Sequence, residues 1–141
     1  MVNGELLLSL FINLQSMIKK NINIDGASFQ RVTALSIVPT DGIEMSSLAS
    51  RLGIDNSTAT RLIIGMENVG WVSRQISKMD KRVIEVYLTS EGSKFQFELE
   101  RQLDFIGEKV DFQIGPIEKQ KVIDCMANLS WILLKLSTHK K

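Results

Sequence analysis

Residues Met45–Leu88 read MSSLASRLGIDNSTATRLIIGMENVGWVSRQISKMDKRVIEVYL, and the order of patterns within them decides the fold. Ser46–Leu52 has helical spacing, opened by a serine able to cap free backbone N–H groups and closed by Gly53, which accepts a left-handed conformation. Asp55, another good N-cap, opens a second helix over Asn56–Asn68. Two short helices joined by a glycine-containing turn form a helix-turn-helix. Gly70-Trp71-Val72 then breaks the pattern. Two alternating runs follow, Trp71–Ser77 and Val83–Leu88, joined by the polar stretch Lys78-Met79-Asp80-Lys81-Arg82. Two helices, a break and a hairpin with a charged tip predict a winged helix-turn-helix: a mainly α chain with a small β-hairpin wing, α+β in class.

The second helix repeats Ala59, Leu62, Ile63, Met66 and Val69 on the stripe that faces a core. Its other face begins Asn56, Ser57, Thr58, Thr60 and Arg61. Short hydroxyl and amide side chains allow close approach to a DNA major groove, where an arginine pairs with guanine O6 and N7. A capped surface helix with a polar outer face accounts for that stretch equally well, and the hairpin separates the two readings. Arg74, Lys78, Lys81 and Arg82 set four cations around it against one carboxylate, Asp80, an electropositive projection suited to phosphate. Asp80 and Arg82 lie two apart in a tight turn, a spacing that lets the carboxylate orient the guanidinium.

The run Leu48–Gly92 resembles the MarR (multiple-antibiotic-resistance regulator) family of winged-helix transcription regulators. The matching features are Leu48-Ala49 before the turn, Ser57-Thr58 and Thr60-Arg61 in the recognition helix, and Gly70-Trp71-Val72 at the wing entry. Asp80 and Arg82 match as an Asp-x-Arg wing motif, and Leu88-Thr89 is followed by Gly92. Ile64 and Gly65 depart from the pattern, because charged residues are common there in the family. The resemblance implies a homodimer that presents one recognition helix per subunit to a pseudo-palindromic double-stranded operator, with half-sites about 10 bp apart. It further implies a repressor, released by a small-molecule effector of unknown identity or by an oxidant.

The flanks agree with that expectation. An apolar stripe of Leu7, Leu10, Phe11, Leu14, Met17 and Ile18, widened by Leu6, Leu8 and Ile12, predicts a helix over Gly4–Asn21. Ser28 caps a short helix to about Val38, and Ile43–Met45 supplies a third strand beside the wing. Thr89 caps a long helix to about Phe112, seamed by Phe95, Leu99, Leu103, Ile106 and Val110. After Gly115-Pro116 a last helix is seamed by Val122, Met126, Leu129, Leu133 and Leu136, and a frayed tail runs from Ser137 to Lys141. Near-heptad seams of this kind serve helix pairing as well as intramolecular packing. The 141 residues thus read as a single domain 1–141, with a winged helix-turn-helix lobe at 28–89 and a helical dimerisation lobe at 4–23 and 90–138.

Composition narrows the function. Seventeen basic against sixteen acidic side chains give a net charge of +1, so DNA affinity must come from charge placement rather than total charge. Residues 40–90 balance six basic against six acidic, with the basic ones gathered at the wing tip. One cysteine, Cys125, excludes an intrachain disulfide and fits a reducing cytoplasm. Its place in a leucine-rich helix predicts a buried structural thiol rather than a redox sensor. With His139 as the only histidine, neither a metal site nor a cofactor is expected, and no catalytic constellation suggests an enzyme. No leader or membrane-spanning run is visible. Phe11, Phe29 and Trp131 are read as core before they are read as an effector pocket. The rival function is a winged helix that binds protein, which calls for an acidic or apolar recognition helix; Arg61 and the cationic wing tip oppose it.

Overall fold

The computed structural model describes residues 3–138; His139 and the end of the expected frayed tail, residues 139–141, lie outside the described residues. The elements in chain order are α1 (Gly4–Asn21), α2 (Phe29–Ile37), β1 (Ile43–Glu44), α3 (Met45–Leu52) and α4 (Asn56–Asn68). Then come β2 (Val72–Ile76), β3 (Ile84–Leu88), α5 (Ser90–Gln113) and α6 (Lys119–Thr138). The strands form one antiparallel sheet in the order β1-β3-β2, so the short strand before the helix-turn-helix becomes the third member of the wing.

Local chemistry sets most boundaries. Asn3 Oδ1 accepts from Glu5 N at 2.7 Å and opens α1, whose last turn carries Lys19 and Lys20 where the helix dipole favours cations. Ser28 Oγ accepts from Arg31 N at 3.2 Å and opens α2. Asp55 Oδ1 accepts from Thr58 N at 2.7 Å and opens α4, while Gly53, at φ 68°, closes α3. The expected serine cap at the start of α3 is not used. That helix begins one residue earlier, at Met45, directly off β1, and its N-cap Glu44 makes no side-chain hydrogen bond because the register with Glu85 already fixes the entry. At the other end of the chain, Ser137 and Thr138 are helical rather than frayed. Their hydroxyls donate to Leu134 O and Lys135 O, 2.9 and 3.0 Å away.

The core lies where α2, α3, α4, the wing base and the first half of α5 meet. Trp71, Leu35, Leu48, Ile63, Met66 and Leu99 are wholly buried there, and the Trp71 and Phe95 rings sit 5.4 Å apart. Ala59, Ile63 and Met66 form the buried stripe of α4, with Leu62 packed partly against it. Val69 leaves the stripe, because it is the residue after the helix, with φ −88° and ψ 3°, and it is exposed. Gln96 Nε2 donates to the carbonyls of Leu35 and Val38, both at 2.8 Å, satisfying the open end of α2. Gln102 bonds both the N–H and the carbonyl of Asn23, tying the end of α1 to α5.

The terminal helices behave differently. Neither α1 nor α6 buries a single residue, and Leu6, Leu8, Leu10, Phe11, Ile12 and Leu14 all remain exposed along α1. Along the α5 seam Leu99 and Ile106 are buried, but Val110, beyond the reach of the core, is exposed. On α6 only Val122 and Leu129 of the seam are partly covered. Two expectations are corrected by this. Cys125 is exposed rather than buried, and Phe11 and Trp131 are exposed rather than core, because no other element of the chain covers the faces of α1 and α6 that carry them. Among the described residues no helix is long and apolar enough to cross a membrane.

Candidate nucleic-acid interface

The N-terminal end of α4 faces outward. Asn56, Ser57, Thr58 and Arg61 are exposed there, and Thr60 is half-buried. The Asp55 carboxyl is held below its ordinary value, chiefly by the Thr58 N–H and then by the Thr58 hydroxyl, with the nearby charge of Arg61 adding to the effect. Thr60 Oγ1 donates to Asn56 O at 2.8 Å, so its proton serves the helix itself and only its lone pairs remain for a ligand. Helical periodicity divides the polar residues between two flanks. Asn56 and Thr60 border the wing, whereas Thr58 and Arg61 border α2.

The wing is held at its tip by short-range bonds. Val72 pairs with Leu88 and Ile76 with Ile84, after which Ser77 N donates to Val83 O at 2.9 Å and Val83 N to Asp80 O at 3.0 Å. Ser77, the one buried polar residue among those described, accepts from Met79 N at 3.2 Å. Arg82 donates to Asp80 three times: N and Nε to Oδ1 at 3.0 and 3.1 Å, and Nη2 to Oδ2 at 3.1 Å. The orienting pair expected from the sequence therefore forms as a two-pronged contact. The Arg82 side chain holds the Asp80 carboxyl below its ordinary value, with the Arg82 N–H adding to the effect. Although fixed at one end, the Arg82 side chain is 90% exposed, so the charge is presented outward rather than enclosed.

The start of α4 and the wing arginine line a common groove. Asn56, Thr60 and Arg82 border a space of about 240 Å³ together with Met45, Ser46, Val83 and Ile84. Lys78 and Lys81 are exposed at the same tip. Arg74 is not free with them. Its Nη2 lies 3.1 Å from Glu67 Oε1, and its backbone N–H donates to Glu67 Oε2 at 3.3 Å, so the base of the wing is tied to the last turn of α4. Glu67 thereby compensates one of the four expected cations, and its own carboxyl is held low by the Arg74 side chain. Nothing local in the sequence signals that pairing, since the partners belong to different elements. A second residue that sequence reasoning passed over is Arg31, which lines the opposite flank of α4 with Thr58 and Arg61.

With this geometry in place, likeness to known proteins becomes informative. The model of the MarR family matches residues 36–84, from the end of α2 to the start of β3. Transcriptional repressor MprA of Escherichia coli (strain K12) is 30% identical over 97 residues, 64% of this chain and 55% of MprA. Residues 36–84 carry the MarR family pattern. The chain spans about half the length of MprA, but it aligns over nearly its whole length with a second relative. The HTH-type transcriptional regulator SarZ of Staphylococcus haemolyticus (strain JCSC1435) is 25% identical over 144 residues, 98% of this chain and 95% of SarZ. A MarR transcriptional regulator from Methanosarcina mazei Go1 has the same fold, with a TM-score of 0.82 at 24% identity, covering 94% of this chain and 96% of that one. Streptococcus pneumoniae FabT, solved in complex with DNA, has a TM-score of 0.73 at 22% identity over the same shares of the two chains. The segment matched to the MarR family contains every residue assigned above to the recognition helix and the wing tip.

Proposed function

We propose that this protein is a MarR-type homodimeric repressor of transcription that binds a pseudo-palindromic operator in double-stranded DNA. The observation that carries the reading is the shared groove, in which the polar start of α4 and an arginine held outward by Asp80 face one ligand space. Asn56, Ser57, Thr58 and Arg61 enter the major groove, where Arg61 pairs with guanine O6 and N7. The hydroxyls and amide bond bases or phosphates, with Thr60 acting as an acceptor. Arg82 enters the adjacent minor groove, whose narrow A·T-rich stretches concentrate negative potential. Lys78 and Lys81 bind the phosphates between the two grooves.

Dimerisation follows from the apolar faces that the monomer leaves open. Besides the apolar residues of α1, Phe105, Val110 and Phe112 of α5 and Met126, Trp131, Leu133 and Leu136 of α6 are exposed. An apolar surface of this extent on a protein in water marks an association site. Two-fold pairing through these helices as a dimerisation lobe sets the two copies of α4 one helical turn of DNA apart. A small effector acts by changing that separation. The cleft between α1 and α2, about 110 Å³, is below the roughly 300 Å³ at which drug-sized sites begin, whereas the apolar pocket of about 740 Å³ lined by Met17, Phe105, Val110 and Phe112 on α1 and α5 is large enough for the effector. The protein works in the cytoplasm and catalyses no reaction.

Selection of bound duplexes from a random pool, at physiological salt, tests the reading. The expected product is two inverted half-sites centred about 10 bp apart. Recovery of unenriched sequence would refute it.

A further inference from the structure

Across the thirteen residues of α4 there is one cation, Arg61. A second reaches the same flank from outside the helix. Arg31, the third residue of α2, donates from Nη1 to Gly26 O at 3.0 Å. With that end of the guanidinium fixed, the other end crosses α4 directly over Gly65. A Cβ built on Gly65 would stand 2.8 Å from Arg31 Nη2 and 3.5 Å from its Cζ, so any side chain at position 65 pushes the guanidinium away. Glycine inside a helix weakens it, which makes close approach of another group the physical reason for finding one there.

Arg31, Arg61, Thr58 and Gln30 line one open groove of about 360 Å³, and no carboxylate lines it with them. Asp55, the nearest acid to Arg61 by its electrostatic effect, is engaged by Thr58 at the helix cap. Among the described residues neither arginine is in an ion pair. Two uncompensated guanidinium groups, a hydroxyl and an amide around one opening form a site for an anion. Beside a helix that enters DNA, that anion is a backbone phosphodiester.

We infer that Arg31 is a phosphate-binding arginine, delivered from α2 to the flank of α4 beside the base-reading Arg61, and that position 65 is glycine so that it can cross. The inference rests on the DNA-binding reading above. It assigns Arg31 to affinity for any sequence and leaves base reading to Arg61. Arg31→Gln removes the charge while keeping a polar side chain at a half-buried surface position; Gly65→Ala raises helix propensity while displacing the guanidinium.

The test is fluorescence-anisotropy titration of the full chain, its Arg31→Gln and Gly65→Ala variants and the double variant. Each is titrated against the selected operator and a shuffled duplex between 50 and 200 mM KCl. Arg31→Gln is expected to weaken binding to both duplexes by the same factor. It should also make the dependence of log affinity on log salt shallower by about 0.9, the amount for one phosphate contact. Gly65→Ala should move the slope in the same direction with Arg31 still present, and the double variant should be no weaker than Arg31→Gln. An unchanged slope for Arg31→Gln, in a parent that binds the operator, would overturn the inference and leave the function standing. A parent that binds neither duplex would remove the function reading, and this inference with it.

Discussion

Gly92 joins the wing to α5, and replacing it with alanine should loosen that joint. It is the third residue of α5 and is buried; a Cβ there would lie 1.8 Å from the carbonyl oxygen of Trp71 and 2.7 Å from its carbonyl carbon. Those are backbone atoms, so no rotamer change relieves the clash. The same carbonyl accepts from Thr89 N at 3.0 Å, and Thr89 Oγ1 accepts from Gly92 N at 2.9 Å and donates to Gly70 O. Shifting α5 by more than an ångström therefore disturbs the cap and the seat of the buried Trp71 together. Overpacking of this kind costs about 1–3 kcal/mol and loss of the cap about 1 kcal/mol. The better helix propensity of alanine returns at most about 1 kcal/mol. The net loss of about 1–3 kcal/mol corresponds to a fall in Tm of about 3–15 °C for a chain of this size. Gly107→Ala is the control, since a Cβ there meets nothing within 4 Å; it should leave Tm unchanged or slightly raised. Thermal melts followed by far-UV circular dichroism at one protein concentration compare the two. If Gly92→Ala melts at or above the parent, the close approach of α5 to Trp71 is not what holds the wing in place.

Other consequences follow at the wing, the dimer helices and α5. Arg82→Ala should leave Tm almost unchanged, since an exposed ion pair adds little to folding, while weakening operator binding and abolishing preference for A·T-rich flanks. Asp80→Ala should weaken binding less; equal binding of every flank by Arg82→Ala and parent would rule out minor-groove reading. Leu129→Glu with Leu133→Glu puts charge on the α6 seam and should yield monomers by light scattering, and a monomeric parent at micromolar concentration would contradict the interface. The Arg101 side chain, with Gln102 adding to the effect, holds the Glu98 carboxyl down to about 2, below its ordinary value. Because the folded value is the lower one, the stabilisation from this pair is present above the ordinary carboxylate range and is lost as pH falls through it toward 2. A Glu98 carboxyl midpoint near 4 by carbon NMR would show that the pair does not form.

Much of this geometry could be read from the sequence because it is local. Asp55 before Asn56, Thr89 before Ser90 and Ser28 before Phe29 each cap the helix they precede, and Gly53 closes α3 in the left-handed conformation it was expected to adopt. The Asp80–Arg82 pair was equally accessible, being two residues apart in one turn. What stayed hidden depends on contacts between elements. The Arg74–Glu67 pair joins residues seven apart on two elements, and the approach of Arg31 to Gly65 joins positions 34 apart, so neither is signalled by local sequence. Cys125 and Trp131 were expected to be covered because their helix is apolar, yet periodicity shows which face seeks burial and not which molecule supplies it.

In this reading α4 reads base sequence through Arg61. That role is tested most directly by equilibrium titration of parent and Arg61→Ala against the selected operator and a shuffled duplex of the same composition. Arg61→Ala should lose about 5- to 100-fold on the operator and almost nothing on the shuffled duplex. Equal losses on both duplexes would make Arg61 a phosphate contact, and no preference of the parent for the operator would contradict sequence reading by this protein altogether.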